Sequence, residues 1–342
     1  MRWRWGFLFA VSAFAVSAFA VSSSTVADVV STVRSALQHK QSDSHIAAAI
    51  HKIDIGEQLD WRVVEELESE GAGPKAVSAL EMLFDESQGL PTPAVPAFPA
   101  GDRPPAAEQE SALRNASRDS LNYAASLPDF LCTESVRRFE DFKLREKQNW
   151  ALKDTLTLNL SYFSHAEDYK LVAVNGKPTY RNYEEMGGAV SQGEFGSLLI
   201  SIFRDAPRSR FDWDHWTTLR RRRTHVFRFH IGISESQYEV HFASVAVQPI
   251  TARTGQHGFV YVDADSHRVV RVYAEADNIP ADFPVTNVYT LLDYDFVDIG
   301  GQPYLLPLRA VVRMGTNRVQ TRNEMAFEKY RKFSGEANIT FK

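Results

Sequence analysis

The sequence predicts an α+β protein: a curved antiparallel sheet or unclosed β-barrel with packed helices, preceded by a separate N-terminal helical module. Three observations carry this. From His225 onward apolar and polar residues alternate in runs broken by short turns at 232–236, 263–267, 300–303 and 314–318, the pattern of strands with one buried and one wet face. Residues 25–88 instead repeat their apolar positions at helical spacing. Between the two lies a stretch too rich in proline to build a core.

Taken in chain order, residues 1–20 read as a signal peptide. Arg2 and Arg4 precede an uninterrupted small and apolar run, and Ala18-Phe19-Ala20 gives the small-x-small cleavage pattern. The expected location is therefore periplasmic or secreted, in a bacterial envelope. The helical module spans 21–88. Val26, Val29, Val30, Val33 and Leu37 mark its first helix, which Ser24 or Thr25 can cap. Ile46, Ile50 and Ile53 mark a second helix, and Asp60 caps a third built on Val63, Val64 and Leu67. Gly71-Ala72-Gly73-Pro74 ends that helix and starts a fourth, carried by Val77, Leu80, Leu83 and Phe84. The acidic run at 65–70 reads as a solvated helix face.

Residues 89–107 form the linker, with prolines at 91, 93, 96, 99, 104 and 105. A helix over 108–126 follows, with Leu113, Ser117, Leu121 and Ala124 on one face. The β domain then runs to residue 342, with strands expected near 131–143, 149–163, 168–175, 209–215, 219–232, 236–248, 257–263, 267–276, 286–298, 303–314 and 317–332. Asn175-Gly176 is a hairpin signal. One apolar helix near 194–204 interrupts the strands, and its all-round apolar surface suits a plug buried against the sheet.

Composition narrows the function classes. Fifteen acidic against six basic side chains fall in residues 21–110, and the whole chain of 342 residues carries a net charge of −5. Nothing in this balance predicts a nucleic-acid surface, which usually needs a basic surplus on one domain. The single cysteine, Cys132, allows no internal disulfide. In Phe130-Leu131-Cys132-Thr133 it reads as a small buried hydrophobe.

Two segments resemble a known family. Gly258-Phe259-Val260-Tyr261-Val262-Asp263 turns into Arg268-Val269-Val270-Arg271-Val272. Leu292-Asp293-Tyr294 continues through Gly300-Gly301 to Leu305-Leu306-Pro307. These are similar to the hairpins of bacterial lipoprotein carriers of the LolA and LppX type, over residues 108–342. The resemblance implies an unclosed barrel whose helix-covered mouth holds acyl chains, with no catalytic residue. The N-terminal helices and the proline linker depart from that pattern.

No motif names a reaction. There is no Gly-x-Ser-x-Gly elbow, no His-Glu-x-x-His sequence and no phosphate loop at Gly187-Gly188 or Gly193–Gly196. His230 and His241 read as cross-strand neighbours in an exposed polar ladder. Asp293, Asp295 and Asp298 are a weak carboxylate set. Arg220 to Arg223 read as partners of the acidic module or of Asp212 and Asp214, with anionic headgroups as the sharper alternative. In Phe211-Asp212-Trp213-Asp214-His215-Trp216, alternation puts Phe211, Trp213 and His215 on one face. The closing strand carries Arg318, Gln320, Arg322 and Glu324 on a face that reads as wet outer surface. The expectation is a non-enzymatic binder of a lipid or acylated ligand, with Phe195, Leu198, Leu199, Ile202, Phe211 and Trp213 lining the site and no metal or cofactor. The alternative is an envelope scaffold with a filled core, whose N-terminal helices recruit a protein partner.

Overall fold

The computed structural model describes residues 23–94, 98, 101–142, 150–183, 186, 196–204, 210–244 and 247–333. The signal segment, Phe195, Gly187, Gly188 and Gly193 lie outside them. Four helices come first: α1 (Val26–Gln38), α2 (Asp43–Ile50), α3 (Trp61–Ser69) and α4 (Pro74–Ser87). Thr25 and Asp28 cap α1 reciprocally, and Asp60 caps α3 by accepting from the Arg62 amide. Helix α4 starts on Pro74, after Gly71 has turned the chain at φ +110°. Its open N-terminus is capped from a distance, because the Asp43 carboxylate accepts from the amides of Lys75 and Ala76, each at 2.9 Å.

The strands are β1 (Phe130–Asp141), β2 (Ala151–Phe163), β3 (Ala166–Val174), β4 (Lys177–Pro178), β5 (Arg210–Leu219), β6 (Arg222–Ile231), β7 (Glu239–Ser244), β8 (Val247–Arg253), β9 (Gly255–Asp263), β10 (Val269–Asp277), β11 (Val285–Ile299), β12 (Gln302–Thr316) and β13 (Gln320–Lys332). Eleven of them form one open antiparallel sheet in the order β4-β3-β2-β1-β13-β12-β11-β10-β9-β6-β5, and β7 and β8 pair separately. The expected strand at 236–248 thus divides into parts of a two-stranded hairpin. Strand β5 also runs to Leu219, because its hairpin turns at Arg220 and Arg221, at φ 48° and 65°. Such a turn normally takes Asn-Gly. Here Arg220 is held by its guanidinium, which donates to the carbonyls of Val270 and Tyr294 and to Asp293.

Both faces of the sheet are covered. The inner face carries α5 (Ala106–Leu121), α6 (Tyr123–Ser126) and α7 (Ser197–Phe203). The helix expected over 108–126 is broken at Asn122. Its buried stripe is Ala112, Ala116 and Ser120 rather than Leu113, Ser117 and Leu121, since small side chains let the helix lie close to its neighbours. The outer face is covered by α1–α4, whose apolar core is shared with Tyr273, Tyr289, Leu291 and Val311 of the sheet.

That packing overturns two expectations. The acidic run of α3 is not a solvated face: Glu65 is buried, accepts from His215 Nε2 at 2.7 Å and from the Tyr261 hydroxyl, and Glu68 accepts from Arg271 at 2.8 Å. Nor is the polar face of β13 wet. Arg322 is fully buried and donates to Glu81 at 2.8 Å and Asp85 at 2.9 Å of α4, while Ser78 donates to Glu324 at 2.6 Å. Around them, Arg313 meets Asp85 at 3.1 Å, Arg309 pairs with Glu81, and Tyr289 donates to Asp85 at 2.8 Å. Alternation reports only that a face is polar. A polar face can be buried when the covering element brings opposite charges to match each group.

A candidate ligand site under the inner-face helices

The inner face is built by strand periodicity. Every second residue of β2 (Leu156, Leu158, Leu160, Tyr162), β11 (Leu292, Tyr294) and β10 (Val272, Ala274) points into one apolar cluster. Of the expected site residues, Leu199 and Ile202 of α7 are buried in that cluster, as is Trp213. Leu198 and Phe211 pack against it, and Phe195 falls outside the described residues. The five described residues therefore share one compartment.

Two aromatic details shape it. Phe203 stacks on Phe211 with centroids 5.5 Å apart, which ties the end of α7 to β5. A bulge between Trp213 and His215 reverses the alternation of β5. His215 therefore points to the outer face, while Trp216 joins Trp213 on the inner one at 6.0 Å. The sequence pattern had put Trp213 and His215 together. The bulged Asp214 stays between them and accepts from His215 Nδ1 at 2.8 Å, and from Arg62 and Arg228. Trp213 Nε1 is buried with no hydrogen-bond acceptor among the described residues.

The compartment is filled by its own helices. Leu199, Ile202 and Phe203 enter it from α7, Ala112 and Ala116 from α5, and Tyr123 from α6. At the junction of α5, α6 and α7 lies a cavity of about 110 Å³, bounded by Tyr123, Leu199, Val269 and Leu305 and rimmed by Asp119, Ser120 and Arg268. At roughly 30 Å³ per water this holds a few waters and no acyl chain. The Tyr123 hydroxyl donates to the Leu305 carbonyl at 2.9 Å, and the Tyr162 hydroxyl donates to the Ala124 carbonyl at 2.9 Å. Ser120, Tyr123, Phe203, Arg268 and Leu305 were not among the expected site residues. Their sequence spread, over α5, α6, α7, a turn and β12, left no local signal.

The two coverings of the sheet are held differently. The outer one is locked by the buried charge pairs already described. The described side-chain hydrogen bonds of α7 to other elements are Gln256 Nε2 to the Ser201 carbonyl, at 3.1 Å, and Arg204 to Gln237, at 2.9 Å. Gln256 Nε2 also reaches the Ser201 hydroxyl at 3.5 Å, and Leu199, Ile202 and Phe203 hold the helix by apolar contact. It begins at Gly196, whose φ of +135° suits glycine, and a side chain there would press on Tyr123 and Ala124 of α6.

The carboxylates and histidines that the sequence singled out are engaged separately among the described residues. Asp293 is gripped by Arg271 at 2.5 Å, Arg309 at 2.8 Å and Arg220 at 3.3 Å. Burial works against its charge, yet the three guanidinium groups hold its carboxyl far below the usual range. Asp298 caps the turn by accepting from the Gly301 amide, and Asp295 lies beside Arg220 and Arg222. The arginine run thus pairs within the sheet, not with the acidic helices; Arg223 lies over the Trp216 ring at 3.8 Å. His230 is aligned with Arg210 and His257, and His241 with Thr251, so the two are not cross-strand neighbours. Among the described residues no three His, Cys, Asp or Glu side chains converge as metal ligands. Cys132 is buried, and burial pushes its thiol up to about 12.

No family model and no curated protein matches the chain. Solved structures similar to it include a LolA superfamily protein from Nitrosomonas europaea, at 9 % identity and a TM-score of 0.26, covering 68 % of this chain and 97 % of that one. A DUF1329 family protein from Desulfovibrio piger matches at 11 % identity and a TM-score of 0.30, covering 68 % and 96 %. A domain from Vibrio parahaemolyticus described as an outer membrane lipoprotein-sorting protein matches at 12 % identity and 0.28, covering 67 % and 95 %. The first and third carry descriptions of the type that the hairpins resemble. At such TM-scores the likeness says nothing of what this chain binds.

Proposed function

We propose that the protein is a non-enzymatic, exported binding protein of the bacterial envelope, which takes a hydrophobic or acylated ligand on its inner face when α7 moves aside. One observation carries this: among the described residues α7 meets the rest of the inner face mainly by apolar contact, through Leu199, Ile202 and Phe203, while the outer covering is fixed by buried charges. Apolar burial is worth about 25 cal/mol per Å² whatever supplies the area. An acyl chain of similar surface can therefore replace Leu199, Ile202 and Phe203 at little net cost. Replacing the outer covering would take Glu68 from Arg271, and Glu81 and Asp85 from Arg322. The buried indole N–H of Trp213 offers an incoming ligand one polar contact.

The test is direct. Lipid is extracted from the purified full chain and identified by mass spectrometry, and the stripped protein is titrated with a fluorescent fatty acid. Co-purifying lipid or saturable binding is the expected result. Neither lipid nor probe binding would leave the second reading, an envelope scaffold whose core is complete without ligand. That reading is favoured by the described side chains of α5, α6 and α7 that fill the inner compartment.

A further inference from the structure

We propose that the β5–β6 end of the inner face, where Trp213 and His225 stand on neighbouring strands, binds the hydroxyl head of a neutral amphiphile. This rests on the reading that the inner face takes a hydrophobic ligand, and it adds where the polar end sits and what its chemical class is.

The place follows from the pairing of β5 with β6. Phe211 is aligned with Phe229, Trp213 with Phe227 and, past the bulge, Trp216 with His225. The first five belong to the inner apolar cluster or pack against it. His225 lies on the same side, its ring 4.0 Å from that of Trp216 and 5.7 Å from that of Phe227. Phe203 of α7 stacks on Phe211. A chain that took the place of α7 would therefore have Trp213 next along the strand and His225 beyond it.

Two nitrogen atoms at this end are buried without a partner. Trp213 is 6 % exposed and His225 1 %, and neither the Nε1 of the one nor the Nδ1 of the other makes a hydrogen bond. Folded interiors rarely keep such atoms unpaired, because each forfeits its bond to water. Trp216 is already engaged, its Nε1 donating to the Asp102 carbonyl at 2.9 Å. Glu108 of α5 lies 3.6 Å from His225 Nε2 and draws the ring proton to that side. Burial above all, against the pull of Glu108 and with Arg223 and His267 adding to it, holds the imidazole below its usual 6.5. The ring is therefore neutral at neutral pH, and Nδ1 is an acceptor. The compartment thus lacks an acceptor for Trp213 and a donor for His225. A hydroxyl both accepts and donates, so one such group, or the pair on a monoacylglycerol, satisfies both atoms. A carboxylate only accepts and leaves His225 unpaired. An ammonium only donates and leaves Trp213 unpaired.

Lauryl alcohol, its methyl ether and laurate, which share one tail, are each used to displace N-phenylnaphthylamine, a neutral fluorescent probe, from the full-length protein. Mildly alkaline buffer keeps the laurate ionised. The alcohol is expected to bind about fivefold more tightly than the ether or laurate, the worth of one hydrogen bond. His225→Phe and Trp213→Phe variants are measured beside it, with circular dichroism as the check on folding. His225→Phe keeps an aromatic ring and should bring the alcohol down to the level of its ether, whose own affinity stays unchanged. Trp213→Phe should weaken alcohol and ether alike, since both accept from the indole. Equal binding of alcohol and ether, laurate binding as tightly as the alcohol, or an alcohol preference that survives His225→Phe each overturns the hydroxyl site. The hydrophobic-ligand reading then stands, with buried water as the partner of the two nitrogens. Failure of all three compounds and of the probe to bind overturns both. Should a variant misfold, the three compounds on the unaltered chain still decide.

Discussion

Single residues at the outer seam carry unequal weights, and burial decides which. Arg322 is fully buried between Glu81, Asp85 and Glu324. Arg322→Ala removes the guanidinium shared by Glu81 and Asp85, leaving each buried carboxylate with one arginine, Arg309 or Arg313, and is expected to cost about 3–5 kcal/mol in denaturant unfolding. Arg34, paired with Glu70 at the surface, is the control, and its removal should cost about 1 kcal/mol or less. His215 has a pH signature. Burial opposes its charge, but hydrogen bonds to Asp214 and Glu65 and their attraction outweigh it, raising the imidazolium from 6.5 to about 9. A cation whose folded value is raised contributes stability that is complete below 6.5 and lost as pH rises through about 9. Glu86 slopes lower down: burial, with repulsion from Asp85 and Asp141, lifts it from 4.5 to about 7, so its contribution also falls with pH but ends near neutrality. Melting temperature should therefore drop on the alkaline side, and His215→Gln should flatten that drop. An unchanged alkaline slope in the variant would show that His215 does not set it.

Among the elements, α7 holds the most consequence. Its seven residues make few directional bonds, so its hold on the sheet is the burial of Leu199, Ile202 and Phe203. Ile202→Ala is expected to cost about 2–4 kcal/mol of stability. If α7 is a displaceable roof, the same change favours the open form and tightens fatty-acid binding, because apparent affinity scales with the competent population. Titration of the variant with the fluorescent fatty acid checks this, and weaker or unchanged binding would count against displacement. The helix itself was legible from its apolar run. Of its partners, Phe211 was among the expected site residues, while Tyr123, on a separate short helix, was not.

For the whole molecule, the helical segment has a core of its own yet docks through buried charges onto β5, β9–β13 and the tyrosines between them. Removing residues 1–88 would expose Arg271, Arg322 and Asp293 together with an apolar patch around Tyr273 and Tyr289. Calorimetry of the full chain is therefore expected to show one cooperative transition, and the truncated chain should bind hydrophobic dyes or aggregate. Two separate transitions would mean that the module folds independently behind its proline linker.

The helical caps at Thr25 and Asp60, the Asn175-Gly176 turn, the succession of hairpins and the buried Cys132 all follow from short-range order, and the sequence alone determined them. Tertiary structure alone decided which polar faces are dry, where β5 turns, and whether the inner face is hollow. His215 meets Glu65 across 150 positions of chain, and Arg322 meets Asp85 across 237. Periodicity records how a residue alternates with its neighbours. It carries no information about a complementary charge, or a covering helix, brought from so far along the chain.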